Sequence, residues 1–273
     1  MTNKRIVESE VNSVKNVTRR IIRMDGNYIK LVLVSLICIV VGVASLIVPF
    51  APSVLFIDQE EATITPVAAL ISSFSALAFF GLFIFVFLPC ISGVLYFTRK
   101  TVSGDKPKFI EMFAPFTTRG RYGSSLLLPI VILIRGVVIL LPLIGGIMNL
   151  PLFYEMSSEM STFELIADSS FILCLTILAV CVAAYFSSYL FFVPYLVVSG
   201  KANFFASIVE SIRMSHKNKL DTTKHILSHS GNVIISLLSF LVLWIILAVP
   251  RISVSYFVFC DKIFEDVPQA DYE

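Results

Sequence analysis

The chain has 273 residues, of which 57% are hydrophobic and 15% are charged, and its mean hydropathy is +0.89. Soluble domains are roughly 45–50% apolar and about 25% charged. The composition therefore excludes an ordinary soluble protein and predicts an all-α, polytopic helical membrane protein. The net charge of +2 hides a strong asymmetry along the chain.

Five apolar runs are long enough to cross a bilayer, which takes about 20 helical residues. They cover residues 31–50, 67–97, 124–153, 171–198 and 233–249. A sixth run, residues 252–260, is too short to cross alone. The segment before the first run is charged, and the run itself is 20 residues long, so we interpret it as a retained anchor.

The distribution of Lys and Arg predicts the orientation. Residues 1–30 hold seven, residues 99–122 hold six and residues 200–230 hold five, whereas residues 51–66 and 154–170 hold none. Because Lys and Arg concentrate in cytoplasmic loops, we expect a cytoplasmic N-terminus. The basic inner face is suited to anionic lipid headgroups.

Three surface segments precede the three predicted hairpins: residues 6–24, 106–116 and 204–219. In the second segment, Phe109, Ile110, Met112, Phe113 and Phe116 gather on one side. In the third, an apolar face spans an arc of about 140° and consists of Phe204, Phe205, Ile208, Val209 and Ile212. This face either packs on the protein's own inner surface or inserts among lipid headgroups, and the sequence leaves both open.

Each return span carries a proline: Pro89, Pro194 and Pro250. The repeat favours counting the short sixth run as a return span, which places the C-terminus inside. Five spans with an external C-terminus remain the alternative. The predicted parts of the single membrane domain are residues 1–30 (amphipathic helix), 31–98 (hairpin one), 99–122 (connection), 123–199 (hairpin two), 200–221 (amphipathic helix), 222–263 (hairpin three) and 264–273 (tail).

Several motifs together resemble a known family. They are Gly26-Asn27-Tyr28, the stretch from Gly104 to Phe113, and Pro194-Tyr195 followed by Ala206, Ser211 and Lys219. As a set they look like an uncharacterised bacterial family of six-span integral membrane proteins, itself similar to the membrane domain attached to some glycerophosphodiester phosphodiesterases. The resemblance implies a six-span fold in a bacterial cytoplasmic membrane. It implies no phosphodiesterase activity, because this chain lacks that domain.

The predicted spans contain no Asp or Glu in their interiors, so they offer no paired carboxylates or proton relay. No phosphate-binding glycine loop or nucleophile elbow is present. We therefore expect no catalysis and no cofactor. Arg135 and Arg251 are the candidate ligand-binding residues. Arg135 lies about 11 residues into span three and Arg251 about 11 residues before Lys262, so both are expected at a similar depth, and a guanidinium can bind an anionic group bidentately. Alternatively, each reaches headgroups or nearby backbone carbonyls.

Asp221, His225 and His229 recur at i, i+4 and i+8. This spacing could hold a zinc ion with a further ligand such as His216, although amphipathic periodicity alone also brings polar residues together. We interpret the stripe as a solvated or headgroup-facing edge.

The sequence thus predicts a non-catalytic, multi-pass protein of the bacterial cytoplasmic membrane that acts in membrane organisation, lipid handling or scaffolding. Its expected partners are the lipid bilayer, anionic headgroups and a membrane or cytoplasmic protein, and we expect no nucleic acid. The alternative is a transporter of an anionic solute or lipid that uses Arg135 and Arg251.

Overall fold

The computed structural model describes residues 14–49, 66–118, 122–149, 162–229 and 248–265. Every regular element in these ranges is helical, which confirms the all-α prediction for the described part of the chain. The helices are α1 (14–23), α2 (Asn27–Ile47), α3 (Pro66–Leu82), α4 (Leu88–Val102), α5 (Ala114–Thr117), α6 (Tyr122–Met148), α7 (Thr162–Ser187), α8 (Val193–Val198), α9 (Phe204–Lys217), α10 (Lys219–Ser228) and α11 (Val249–Glu265).

Four helical stretches are long and apolar enough to cross a membrane: Asn27–Ser45, Ala69–Val102, Tyr122–Met148 and Phe163–Val198. Only 6–28% of the residues in their most apolar windows are buried within the protein. So much outward apolar surface is stable when lipid surrounds it. These stretches correspond to the first four predicted runs, whereas most of the fifth run lies outside the described residues.

The three prolines of the predicted repeat occupy the same local position. Pro89, Pro194 and Pro250 are each the second residue of a helix: α4, α8 and α11 respectively. Proline lacks the backbone N–H that a continuing α-helix would pair, so it is expected where the regular α-helical pattern changes. A π-helical turn, Phe83–Phe87, precedes α4, and a 3₁₀ turn, Ser188–Leu190, lies shortly before α8.

The chain divides into two compact units. Unit 1 contains residues 1–129, 198–200 and 232–273, and unit 2 contains residues 130–197 and 201–231. The core of unit 1 lies between α2, α4, α11 and the connection after α4, and its buried residues are Leu31, Val34, Cys38, Cys90, Phe97, Met112 and Val254.

Polar contacts fix the ends of the unit 1 helices. Arg99 in α4 forms an ion pair with Asp261 in α11 at 2.5 Å. The Ser92 hydroxyl donates a hydrogen bond to the carbonyl oxygen of Ser125 at 2.6 Å, which holds the beginning of α6 against α4. Both contacts join elements that are far apart in sequence.

Unit 2 contains most of α6, the whole of α7, most of α8, and α9 and α10. Gly146 of α6 packs directly against Thr176 of α7. Beyond α7, the chain turns at Ser188–Leu190, forms the six-residue α8, and continues into α9 and α10. The predicted site residues of unit 2 lie around this turn.

Candidate functional site

The backbone is interrupted just before Pro194. After 26 residues of regular helix in α7, the chain forms the 3₁₀ turn Ser188–Leu190 and a further turn before α8 begins at Val193. Such an interruption frees backbone groups that a continuous helix would pair, and a buried unpaired group costs several kcal/mol in a nonpolar surround (about 2–7). The segment therefore needs donors and acceptors from elsewhere in the fold.

Serines of α9 supply these partners. The Ser211 hydroxyl donates a hydrogen bond to the carbonyl oxygen of Tyr189 at 2.8 Å and accepts one from the backbone N–H of Phe192 at 3.1 Å. The Ser215 hydroxyl donates to the carbonyl oxygen of Ser188 at 2.5 Å. α9 is thus docked on the interrupted segment through a polar face.

The buried face of α9 consists of small residues and one methionine. Ser207, Ser211 and Ser215 are each 0% exposed, and Met214 is 2% exposed. The three serines recur at i, i+4 and i+8, a spacing that places them on one side of a helix. Small side chains let two backbones approach closely in membrane proteins. We call these four residues the serine face.

The predicted apolar face of α9 points away from the protein. Phe205 is 75% exposed, Val209 is 69% exposed and Ile212 is 39% exposed, whereas Phe204 and Ile208 are half-buried. At about 100° per residue, Phe205 lies roughly 120° around the helix from Ser211. The sequence left open whether this face packs on the protein or inserts among lipid headgroups. In the structure, the face as a whole does not pack on the protein.

A third side of α9 is charged. Arg213 and Lys217 are exposed, and at about 100° per residue they follow Val209 around the helix. Arg213 lies 3.9 Å from Glu210, a distance at which an exposed pair contributes little (about 0–1 kcal/mol). The helix therefore has a serine face, an outward apolar face and a basic side.

Lys219 fixes the beginning of α10 beside the same turn. Its ammonium nitrogen lies 3.6 Å from the centroid of the Tyr185 ring and 3.9 Å from that of Tyr189, and it donates a hydrogen bond to the Tyr189 hydroxyl. Desolvation lowers the pKa of Lys219, but the hydrogen bonds to the two tyrosines outweigh this and raise the pKa above its ordinary value. Lys219 therefore stays charged, and its cation–π contacts hold the junction of α9 and α10.

Arg135, the first predicted ligand-binding residue, lies half-buried in α6 and contacts the end of α7. Its Nε donates a hydrogen bond to the Ser187 hydroxyl at 3.3 Å, and its guanidinium carbon lies 5.0 Å from the centroid of the Phe191 ring. Arg251 is exposed near the beginning of α11. The two arginines belong to different units, and the contacts described for Arg135 are with protein groups.

The predicted histidine stripe lies partly beside Arg135. The His225 ring packs edge-on against Phe191 at 5.8 Å and against His229 at 5.0 Å between ring centroids. Asp221 is half-exposed and lies 3.9 Å from the ammonium of Lys224. Within the described ranges, no three His, Cys, Asp or Glu residues come together as a metal site.

Sequence reasoning identified α9 and its apolar residues but missed the serine face. The spacing of Ser207, Ser211 and Ser215 was a signal that could have indicated a packed small-residue face. The partners of Ser211 and Ser215 are carbonyls and an amide of the interruption before Pro194, which no spacing rule predicts.

Together these features define a helical protein with four stretches able to cross a membrane and a further helix, α9, docked through serines on an interrupted span. No protein-family model, no curated protein and no solved structure matches the chain.

Proposed function

We propose that this chain is a non-catalytic, six-span protein of the bacterial cytoplasmic membrane that acts in membrane organisation or lipid handling, with α9 as a lipid-surface helix. The observation that carries the proposal is the orientation of α9. Its serine face is fully occupied by the protein, whereas Phe205 and Val209 point outward.

The location of α9 supports lipid as the occupant of its apolar face. α9 begins six residues after Val198, the end of a stretch that is apolar enough to cross the bilayer. Full burial of a Val, Ile or Phe side chain contributes about 1.5–3 kcal/mol. Arg213 and Lys217 lie beside the apolar face, and each cation near an anionic membrane surface adds about 1 kcal/mol.

The orientation in the membrane rests on charge. The segments rich in Lys and Arg, including residues 200–230 with five, alternate with connections that hold none, so α9 belongs to the cytoplasmic side. In the six-span arrangement, α11 is the last return span, because Pro250 occupies the same local position as Pro89 and Pro194.

The test compares Phe205→Asp with Ala206→Asp in inverted membrane vesicles. Both positions are exposed, both variants gain one carboxylate, and only the first lies on the apolar face. We expect trypsin to cleave after Arg213 faster in Phe205→Asp than in the parent chain, and at the parent rate in Ala206→Asp. Thermal unfolding in detergent should be the same for both, because neither touches the serine face. Equal cleavage rates for the two variants would refute the proposal.

The alternative function, a transporter of an anionic solute or lipid, stays a prediction. It requires Arg135 and Arg251 to hold an anion, and the contacts of Arg135 with Ser187 and Phe191 favour a packing role instead. The variants Arg135→Lys and Arg251→Lys separate these two roles.

A further inference from the structure

The connection between α4 and α6 folds back along α4. Met112 is 0% exposed, and a Cβ atom added to Gly93 would lie closer than 3.0 Å to the carbonyl oxygen and carbon of Met112. Gly93 precedes the last residue of α4, Val102, by nine positions. At 1.5 Å per residue, the connection returns about 13 Å along the helix from its end.

Specific contacts hold the connection in this position. The ring of Phe109 stacks on that of Phe97 at 6.3 Å between centroids. Glu111 forms an ion pair with Lys100 and accepts a hydrogen bond from the backbone N–H of Lys108 at 3.2 Å. These contacts make the segment an integral part of the packed structure of unit 1.

The same segment exposes a set of large apolar side chains. Ile110 is 74% exposed, and the other three are 37–44% exposed: Phe109, Phe113 and Phe116. The sequence placed Met112 on the same side as these residues, but the structure separates them, because Met112 packs inward beside Gly93 while the others point outward. The outward residues form a surface that we call the aromatic patch.

The position of the aromatic patch along α4 indicates whether lipid or water surrounds it. Gly93 lies inside Ala69–Val102, which is apolar enough to cross a bilayer, and the connection is followed by another such stretch, Tyr122–Met148. The apolar run 67–97 ends four residues after Gly93, so the segment that packs on Gly93 reaches about 6 Å inside that run, at the edge of the apolar region. Its 3₁₀ turn, Phe109–Phe113, and the helix α5 pair part of the backbone internally, as a nonpolar surround requires.

We propose that the segment Phe109–Thr117 is a re-entrant lipid-binding element, with the aromatic patch inserted at the boundary between lipid headgroups and acyl chains. Lys106 and Lys108 precede the patch and are exposed, so they face the headgroups, and this charge is complementary to anionic lipid. The inference rests on contacts within unit 1 and does not depend on the arrangement of α9.

The experiment places a nitroxide label at Ile110→Cys in the full chain, reconstituted in vesicles of phosphatidylcholine and phosphatidylglycerol, with the five native cysteines replaced. A label at Asp105→Cys is the matched control, because Asp105 is exposed in the same connection but precedes the part that folds back. Collisions with oxygen, which concentrates in lipid, and with a water-soluble nickel chelate are measured for both labels.

We expect the label at position 110 to collide preferentially with oxygen and the label at position 105 to collide preferentially with the nickel chelate. A label at Phe116→Cys should behave like that at position 110, which gives a second measurement if one variant folds poorly. Equal access of the chelate to positions 110 and 105 would overturn the proposal. Protection of position 110 from both reagents would also overturn it, because protein rather than lipid would then cover the patch.

Discussion

Gly146 of α6 lies so close to Thr176 of α7 that a Cβ atom at position 146 would approach three side-chain atoms of Thr176 to less than 3.0 Å. Thr176 cannot easily withdraw, because its hydroxyl donates a hydrogen bond to the carbonyl oxygen of Ile172 at 2.7 Å. Close approach of two helices at a glycine is typical of membrane proteins, where packing replaces the hydrophobic effect as the source of association.

We expect Gly146→Ala to destabilise the protein by about 1–3 kcal/mol, the usual cost of an overpacked contact. The neighbouring Gly145→Ala is the matched control, because a Cβ atom there meets nothing within 4 Å, and in a helix alanine is favoured over glycine by about 0.5–1 kcal/mol. Thermal unfolding in detergent measures both. An unchanged midpoint for Gly146→Ala would mean that α6 and α7 are not in contact there.

Ser211→Ala should destabilise the docking of α9. The variant removes the donor to Tyr189 and the acceptor for Phe192, and leaving buried backbone groups unsatisfied costs about 1–3 kcal/mol. We expect a lower unfolding midpoint and faster proteolysis after Arg213, even in detergent, where Phe205→Asp has no such effect.

Ser228→Ala is the control for Ser211→Ala, because the Ser228 hydroxyl is exposed and bonds only one turn back, to the carbonyl oxygen of His225. Its unfolding midpoint should stay near that of the parent chain. If the two serine variants behave alike, the hydrogen bonds of Ser211 do not hold α9 in place.

Arg135→Lys tests whether Arg135 packs or binds a ligand. Lysine keeps the charge but loses Nε, which donates to Ser187, and the planar group over the Phe191 ring. We expect stability to fall by about 1 kcal/mol, with co-purifying phospholipid unchanged. Arg251→Lys, at an exposed position, should change neither quantity. Unchanged stability with loss of a bound anion or lipid in both variants would instead favour the transporter.

Single cysteines in a background without native thiols test the six-span arrangement. We expect a membrane-impermeant maleimide to label cysteines at Ala62 and Ser158 in intact cells and to leave those at Gly104, Asn203 and Gln269 unlabelled, because segments rich in Lys and Arg are expected on the cytoplasmic side. Ala62, Ser158 and Gln269 lie outside the described residues. Labelling at position 269 would remove the sixth span and establish five.

Much of the helical framework was predictable from local patterns. The first four long apolar runs correspond to the four stretches able to cross a membrane, because about 20 consecutive apolar residues have few alternatives to a spanning helix. The repeated prolines likewise predicted comparable local structure, since proline restricts its own backbone and removes one donor. Pro89, Pro194 and Pro250 do share a helical position.

The sequence by itself determined the helical class, the four stretches apolar enough to cross a membrane, and which residues of α9 form an apolar face. Only the tertiary structure decided the orientation of α9, in which Ser211 is buried and Phe205 is exposed. It also decided that Met112 is the residue of the α4–α6 connection that packs inward. The physical reason is that periodicity separates apolar from polar side chains, whereas in a membrane both the protein interior and the lipid accept apolar groups. The inward side of α9 is the one whose hydroxyls pair with backbone groups freed before Pro194.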